Sequence, residues 1–137
     1  ELLVDVRGEG VDELIKKIDK AAKTYPYRTT YSVWPGPNSN TFIAWIGRLV
    51  PELRLDLPPT AIGKDWLGKT KFFSSTPSGT GYQFSILGLV GILLAVEEGL
   101  EINILGLNFG IDVLGMNLRL PGIGRLGFPR TIGPRAL

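Results

Sequence analysis

A serine at a predicted helix start is the strongest chemical signal in this chain. Ser39 lies in Asn38-Ser39-Asn40-Thr41, ahead of apolar residues at 42, 43, 46, 49 and 50 whose spacing predicts a helix. Backbone N–H groups left unpaired at a helix start can stabilise a developing oxyanion, so Ser39 stands where a nucleophile could work. Asn, Ser and Thr are also what a helix N-cap needs, and the chain has no histidine to activate a serine. Capping is therefore the preferred reading. Hydrolysis or acyl transfer at Ser39 is the alternative, and its base would have to come from a segment upstream of Glu1 or from Lys64 or Asp65, which no spacing brings to Ser39.

The remaining chemistry is sparse. With no Cys and no His, the chain supplies no thiolate, imidazole, disulfide or Cys/His zinc site. Gly8-Glu9-Gly10 sits between a strand and a helix, but the third glycine of a phosphate-binding loop would fall at Glu13, whose charge repels phosphate. Glu97 and Glu98 are adjacent at a turn and are expected to point apart into water. Asp65, beside Trp66, is expected to hydrogen-bond within an irregular loop, and Asp112, ending an apolar strand, to find a partner inside the fold. No clustered-carboxylate calcium loop is present, so no metal and no cofactor are expected. Trp34, Trp45 and Trp66 with Tyr25, Tyr27 and Tyr31 could line a ligand surface, though such aromatics more often pack a core.

Charge leaves one further candidate. Fifteen Lys and Arg against thirteen Asp and Glu give a net charge of +2, weak support for a nucleic-acid partner. Asp112 is the last acidic residue, and Arg119, Arg125, Arg130 and Arg135 follow it. These arginines are candidate docking charges for an acidic protein surface or anionic lipid; a solvated tail is the commoner meaning of such a run.

The elements that must position these residues read as one α+β domain over 1–127 with a basic tail over 128–137. At 137 residues, 44% hydrophobic and 20% charged, the chain can build one core, and 18 Gly and 10 Pro favour many turns over a helical bundle. Leu2 to Val6 reads as a strand. Apolar residues at 11, 14, 15, 18, 21 and 22 predict a helix that Tyr25-Pro26 ends, with Asp12–Lys16, Glu13–Lys17 and Asp19–Lys23 pairs outside. Thr29 to Trp34 reads as a second strand, and the helix after Asn38 runs to Pro51. An irregular crossing follows, then a short strand within Lys71 to Ser75. Tyr82 to Val96 and Leu100 to Val113 read as two long strands of a hairpin turning at Glu97-Glu98-Gly99, with Asn117 to Leu120 as a short addition. In the second strand Leu100, Ile102 and Ile104 share one face and Glu101 and Asn103 the other, so one side is buried and one is wet. Gly106 and Gly110 mark a bulge or close backbone approach. The expected architecture is two main helices packed on a mostly antiparallel sheet with a long C-terminal hairpin. Ile-Leu-Gly-Leu occurs at 86–89 and at 104–107, too short a match to count as a repeat. Ser74 to Val96 is uncharged, but its apolar part is too short for a membrane-spanning helix. No targeting peptide opens the sequence, and since Glu1 is not an initiator methionine it reads as a processed product or part of a longer chain.

Tyr25-Pro26-Tyr27 and Trp34-Pro35-Gly36-Pro37-Asn38-Ser39-Asn40-Thr41-Phe42, with Leu57 to Asp65 and Leu120 to Arg125, resemble a bacterial family known only as a domain of unknown function. The resemblance runs from Leu2 to about Gly127 and implies a membrane-associated or periplasmic location, or an organelle in a eukaryote. Asn38-Ser39-Asn40-Thr41-Phe42 is also similar, more distantly, to the nucleophile segment of circularly permuted papain-like proteins of the lecithin retinol acyltransferase type. That resemblance implies a degenerate papain-like scaffold with Ser39 in place of the attacking cysteine and no activating histidine. Together these features point to a non-catalytic protein-interaction or structural module, as a subunit or assembly factor of a membrane-associated complex, whose partners are other protein subunits and, secondarily, a membrane surface. Binding of lipid or another apolar ligand between the glycine-bearing strands is a weaker third option.

Overall fold

The computed structural model describes residues 2–128 and 134–136. Among the described residues the chain is α+β, with two α-helices, a seven-stranded antiparallel sheet and a two-stranded parallel pair. Helix α1, Val11–Lys23, buries Leu14 and Ala21 of the predicted apolar face but leaves Ile15 exposed, and it carries Asp12 and Glu13 in its first turn and Lys20 and Lys23 in its last, which suits the helix dipole. Of the expected salt bridges only Lys23–Asp19 forms, at 2.6 Å; Lys16 turns to Glu13, and Lys17 reaches Glu52 beyond the helix pair. Helix α2, Ser39–Leu49, starts at an Asn38 cap: the Asn38 side chain accepts from the Thr41 N–H at 3.0 Å, and the Asn38 N–H donates to the Thr41 hydroxyl at 2.7 Å. Pro51 ends α2 and opens a one-turn 3-10 helix over Pro51–Leu53.

The apolar core lies between the helices and the chain that follows them. Leu14 and Ala21 of α1 and Ala44 and Ile46 of α2 pack with Val50, Leu53, Leu55, Leu57 and Ala61. The Trp45 indole donates to the Ala21 carbonyl at 3.0 Å and ties the two helices together. The irregular crossing thus forms one wall of the core.

The sheet follows as a meander of neighbours in sequence: β2 (Phe73–Ser75), β3 (Gly81–Ile86), β4 (Val90–Ala95), β5 (Gly99–Ile104), β6 (Leu107–Asp112), β7 (Asn117–Leu120) and β8 (Gly124–Gly127). The parallel pair is β1 (Val6–Arg7) with β9 (Arg135–Ala136). The expected hairpin of two long strands is therefore four strands. Each long apolar run folds back midway, at Leu87-Gly88-Leu89 and at Leu105-Gly106, where the leucine and the glycine that follows it both have positive φ (54° and 73°; 52° and 83°). Two consecutive positive-φ residues reverse a strand with the twist a hairpin needs. The two Ile-Leu-Gly-Leu segments are thus used alike, as the places where the meander turns.

Two other expected strands are reduced. Of Leu2 to Val6 only Val6 enters a strand, the two-residue β1, and Thr29 to Trp34 forms no strand. Its Ser32 N–H bonds the Pro37 carbonyl at 2.7 Å and its Ser32 hydroxyl the Trp34 carbonyl at 2.9 Å, closing a local loop. Pro35 and Pro37 supply no N–H groups for a ladder, so this β-prone sequence is spent on the turn leading into α2.

Candidate functional site

Around Ser39 the geometry is that of a cap and a cleft. Asn38, not Ser39, is the N-cap, and its side-chain amide also donates to the carbonyls of Val33 at 2.9 Å and Ile62 at 3.1 Å. Ser39 is the first helical residue and is exposed on the wall of a cleft of about 600 Å³ beside Tyr25, Tyr27, Arg28 and Tyr31. Neither expected base approaches it: Lys64 and Asp65 are buried and turned toward the sheet. The aromatics nearby mostly pack on one another. Tyr25 makes edge-on contacts with Tyr27, Phe42 and Trp45, and Tyr27 meets Trp66 at 4.7 Å, whereas Tyr31 and Trp34 stay exposed.

Beneath the sheet lies a layer of buried charge. Arg119 of β7 is wholly buried and forks onto Asp56, with both nitrogens at 2.8 Å, while also donating to Glu101 of β5 at 2.6 Å. Lys64 bonds the other Glu101 oxygen, and Arg125 approaches the Asp56 carboxylate at 3.0 Å. Asp65 accepts from Asn103 at 2.9 Å, and Asn103 donates in turn to Asn108 at 3.1 Å. Arg48 of α2 donates to the Ser75 carbonyl, the Lys64 carbonyl and the Gln83 side chain. Burial lowers the Arg48 guanidinium to about 10, against the opposing pull of Asp65 and Glu98. For Lys64 burial works to lower the pKa, but Glu101 and Asp65 outweigh it and leave the ammonium raised. Each buried cation has an anion or several acceptors beside it, the condition for keeping charge out of water.

Several expectations are corrected by this layer. Glu98 does not point into water: it is buried, accepting from the Ser78 N–H at 3.0 Å and from the Ser78 hydroxyl, and burial pushes its carboxyl up. Its neighbour Glu97 is half-buried and pairs with Arg54 at 3.3 Å. Arg119, expected among the docking charges, is instead a structural cation, since its guanidinium is the group around which Asp56 and Glu101 gather. Of the other three arginines, Arg125 is half-buried against Asp56, Arg135 lies in β9 with its side chain on the Glu52 carbonyl, and Arg130 lies outside the described residues. Among the described residues, Arg119, Arg125 and Arg135 do not share one open face. Asp112 does find an internal partner, accepting from the Gly115 N–H at 2.8 Å, whereas Asp65 accepts not within its irregular loop, as expected, but from Asn103 of β5.

The opposite face of the sheet is apolar and open. Alternation along each strand sends polar residues inward and apolar ones outward, the reverse of the burial expected for Leu100, Ile102 and Ile104: these three are exposed, and Glu101 and Asn103 are buried. The pairing register aligns the outward residues into rows. One row runs Tyr82, Leu94, Leu100, Ile111, Leu118 and Leu126 across six strands; a second runs Phe84, Ile92, Ile102 and Phe109; a third runs Ile86, Val90, Ile104 and Leu107. Each of these side chains is exposed, and Phe73 extends the surface at the β2 edge by stacking on Tyr82 at 5.4 Å. With Leu93 and Trp66 as the large apolar residues buried outside the helical core, the sheet contributes almost nothing to that core. Period-two alternation was legible in the sequence. Which side is covered was not, because it depends on Asp56 and Lys64 supplying ionic partners from far along the chain.

No curated protein and no solved structure matches this chain. Residues 1–66, which hold β1, both helices and the irregular crossing as far as Trp66, match the family model described as "Protein of unknown function (DUF3750)".

Proposed function

We propose that this chain is a non-catalytic contact module, a subunit or assembly factor of a membrane-associated complex, and that the outward face of the β2–β8 sheet is its contact surface. The observation that carries this reading is the continuous set of aligned apolar rows on that face. Their exposed area is on the order of 1,500 Å² given the size of such side chains, whereas the largest apolar patch on a typical soluble monomer is about 300–600 Å². The buried ionic layer keeps the sheet flush against the helical half and leaves the apolar side free. The test is association in the native source: Ile102→Glu, at the centre of the face, should abolish co-fractionation with the membrane and with the assembly that it carries. Ile15→Glu, on the exposed side of α1, should leave it intact. Equal fractionation of both variants with the unmodified chain would remove the sheet face from consideration.

The alternative of a papain-like hydrolase relative has one supporting observation, the exposed Ser39 on the cleft at the start of α2. Under that reading a base must reach Ser39 from outside the described residues. A serine-reactive probe whose labelling disappears in Ser39→Ala would support it, and unchanged labelling would end it.

A further inference from the structure

Resting on the contact-module reading, we infer that the occupant of the apolar face is lipid: residues 73–128 seat the domain in the hydrocarbon and interfacial zone of a bilayer, with the helical half in water. Exposure is divided sharply along the chain. Between Phe73 and Phe128 every exposed residue is apolar, a glycine, or Tyr82. The six charged residues of that stretch are all buried or half-buried. Among the described residues, every exposed charged side chain lies between Arg7 and Lys71.

The turn tips decide between lipid and protein. A protein partner covers the centre of a patch and leaves a polar rim in water. Here the exposed side chains of two turn tips, one at each end of the sheet, are as apolar as its middle, and Glu97 in the neighbouring β4–β5 turn is half-buried on Arg54 of the helical half. At one end Leu105 is 61% exposed, with Trp34 and Ile62 beside the Gly106 backbone. At the other end Val113, Leu114 and Met116 are 66% to 76% exposed. A second copy packed face to face would cover the rows but strand these tips in water, whereas acyl chains would surround both. Among the described residues β3 to β7 each pair on both sides, and the open edges at the short β2 and β8 have to lie in the interfacial zone, where water and headgroups satisfy unpaired backbone groups. A six-residue strand is about 20 Å long, against about 30 Å of bilayer hydrocarbon, so the sheet lies against or dips into one leaflet.

The chain has no cysteine, so single cysteines can be placed at will and labelled with the polarity-sensitive fluorophore NBD. Ile102→Cys reports the face, Met116→Cys a turn tip and Glu13→Cys the aqueous side of α1. Full-length protein is mixed with vesicles of phosphatidylcholine and phosphatidylglycerol, with circular dichroism confirming the fold of each variant. The expected result is vesicle-dependent blue-shifted emission and protection from aqueous dithionite at both Ile102→Cys and Met116→Cys, with Glu13→Cys unchanged. Emission at Ile102→Cys that is already blue-shifted without vesicles, with an aqueous Met116→Cys, would overturn lipid as the occupant and assign the face to a second copy or another protein. Aqueous emission at both positions with and without vesicles, from a monomer, would overturn the contact-surface reading itself.

Discussion

Arg119 and Asp56, sixty-three residues apart in sequence, meet in a two-pronged ion pair with both N–O distances at 2.8 Å, in a place that water does not reach. The pair joins β7 to the irregular crossing that walls the helical core. Because the sheet is attached through charge on this side, its apolar residues are left on the other. A fork of two parallel hydrogen bonds also fixes angle as well as distance, so β7 is held in one orientation over the crossing.

Removing the cation should be far more damaging than its net worth implies. Arg119→Met leaves the Asp56 and Glu101 carboxylates buried with less compensation, and breaking a buried pair from one side costs about 3–5 kcal/mol. Lys64 still bonds Glu101, and Arg125 still approaches Asp56, which places the expected loss near the lower end. Urea unfolding followed by circular dichroism measures it. In the double variant Arg119→Met with Asp56→Asn the loss should shrink, since one of the orphaned charges is gone. A loss under about 1 kcal/mol, the size of an exposed pair, would contradict the buried geometry.

Local signals in the sequence translate well into local structure. The apolar spacing over 11–22 is α1, the Asn-Ser-Asn-Thr cluster is the start of α2, and Asn117 to Leu120 is β7. The α+β class follows from those elements together with the alternation over 82–113. What is not legible depends on distant partners. Glu101 looks like a solvent-facing residue until Lys64 and Arg119 are seen beside it. The alternation of Leu100, Ile102 and Ile104 with Glu101 and Asn103 separates two faces without declaring which one is open. A signal was nonetheless available at the turns. Leu87-Gly88-Leu89, Leu105-Gly106 and Val113-Leu114-Gly115-Met116 lack the Asn, Asp and Ser that water-facing turns favour.

The buried Glu98 gives the fold a pH dependence of definite sign. Burial raises its carboxyl pKa, and the hydrogen bonds from Ser78 oppose that rise without cancelling it. A carboxyl with a higher pKa folded than unfolded holds its proton more tightly in the native state. Its contribution is fully present below the unfolded pKa of about 4.3 and is lost as the pH rises through the folded value. Glu98→Gln keeps an acceptor for the Ser78 N–H and cannot ionise. The stability of this variant relative to the unmodified chain should therefore grow as the pH is raised from about 4 toward 7. Denaturation midpoints across that range test it, and a difference that is flat or shrinks with pH would show that Glu98 is not held as described.

Asn38 should matter more than an ordinary cap. Its side chain accepts from Thr41 and donates to the carbonyls of Val33 and Ile62, so one residue joins the helix start, the proline-rich turn and the crossing. Asn38→Ala should cost about 2 kcal/mol, the upper end for an N-cap, because the Val33 carbonyl also loses its side-chain donor and the Ile62 carbonyl keeps only that of Asn40. Ser39→Ala, one position on, should cost less than about 0.5 kcal/mol, as befits an exposed substitution clear of the cap. Equal losses at the two positions would mean that Ser39 shares the capping role.

Leu105 offers a substitution in which stability and membrane seating are expected to move in opposite directions. It occupies the first position of a two-residue hairpin turn with φ 52°, a conformation that leucine adopts at a cost and asparagine tolerates. Leu105→Asn creates the Asn-Gly pair that this turn favours, so unfolding should become harder by about 1 kcal/mol. The same change removes a 61% exposed apolar side chain from the tip of the sheet and replaces it with a hydrogen-bonding amide. Retention by phosphatidylcholine and phosphatidylglycerol vesicles should therefore weaken even as the fold gains stability. Because Gly106 is left untouched, the backbone approach to Trp34 is preserved, and the turn keeps its geometry. A variant that gained stability and bound vesicles as well as the unmodified chain would place Leu105 outside the lipid-contacting surface.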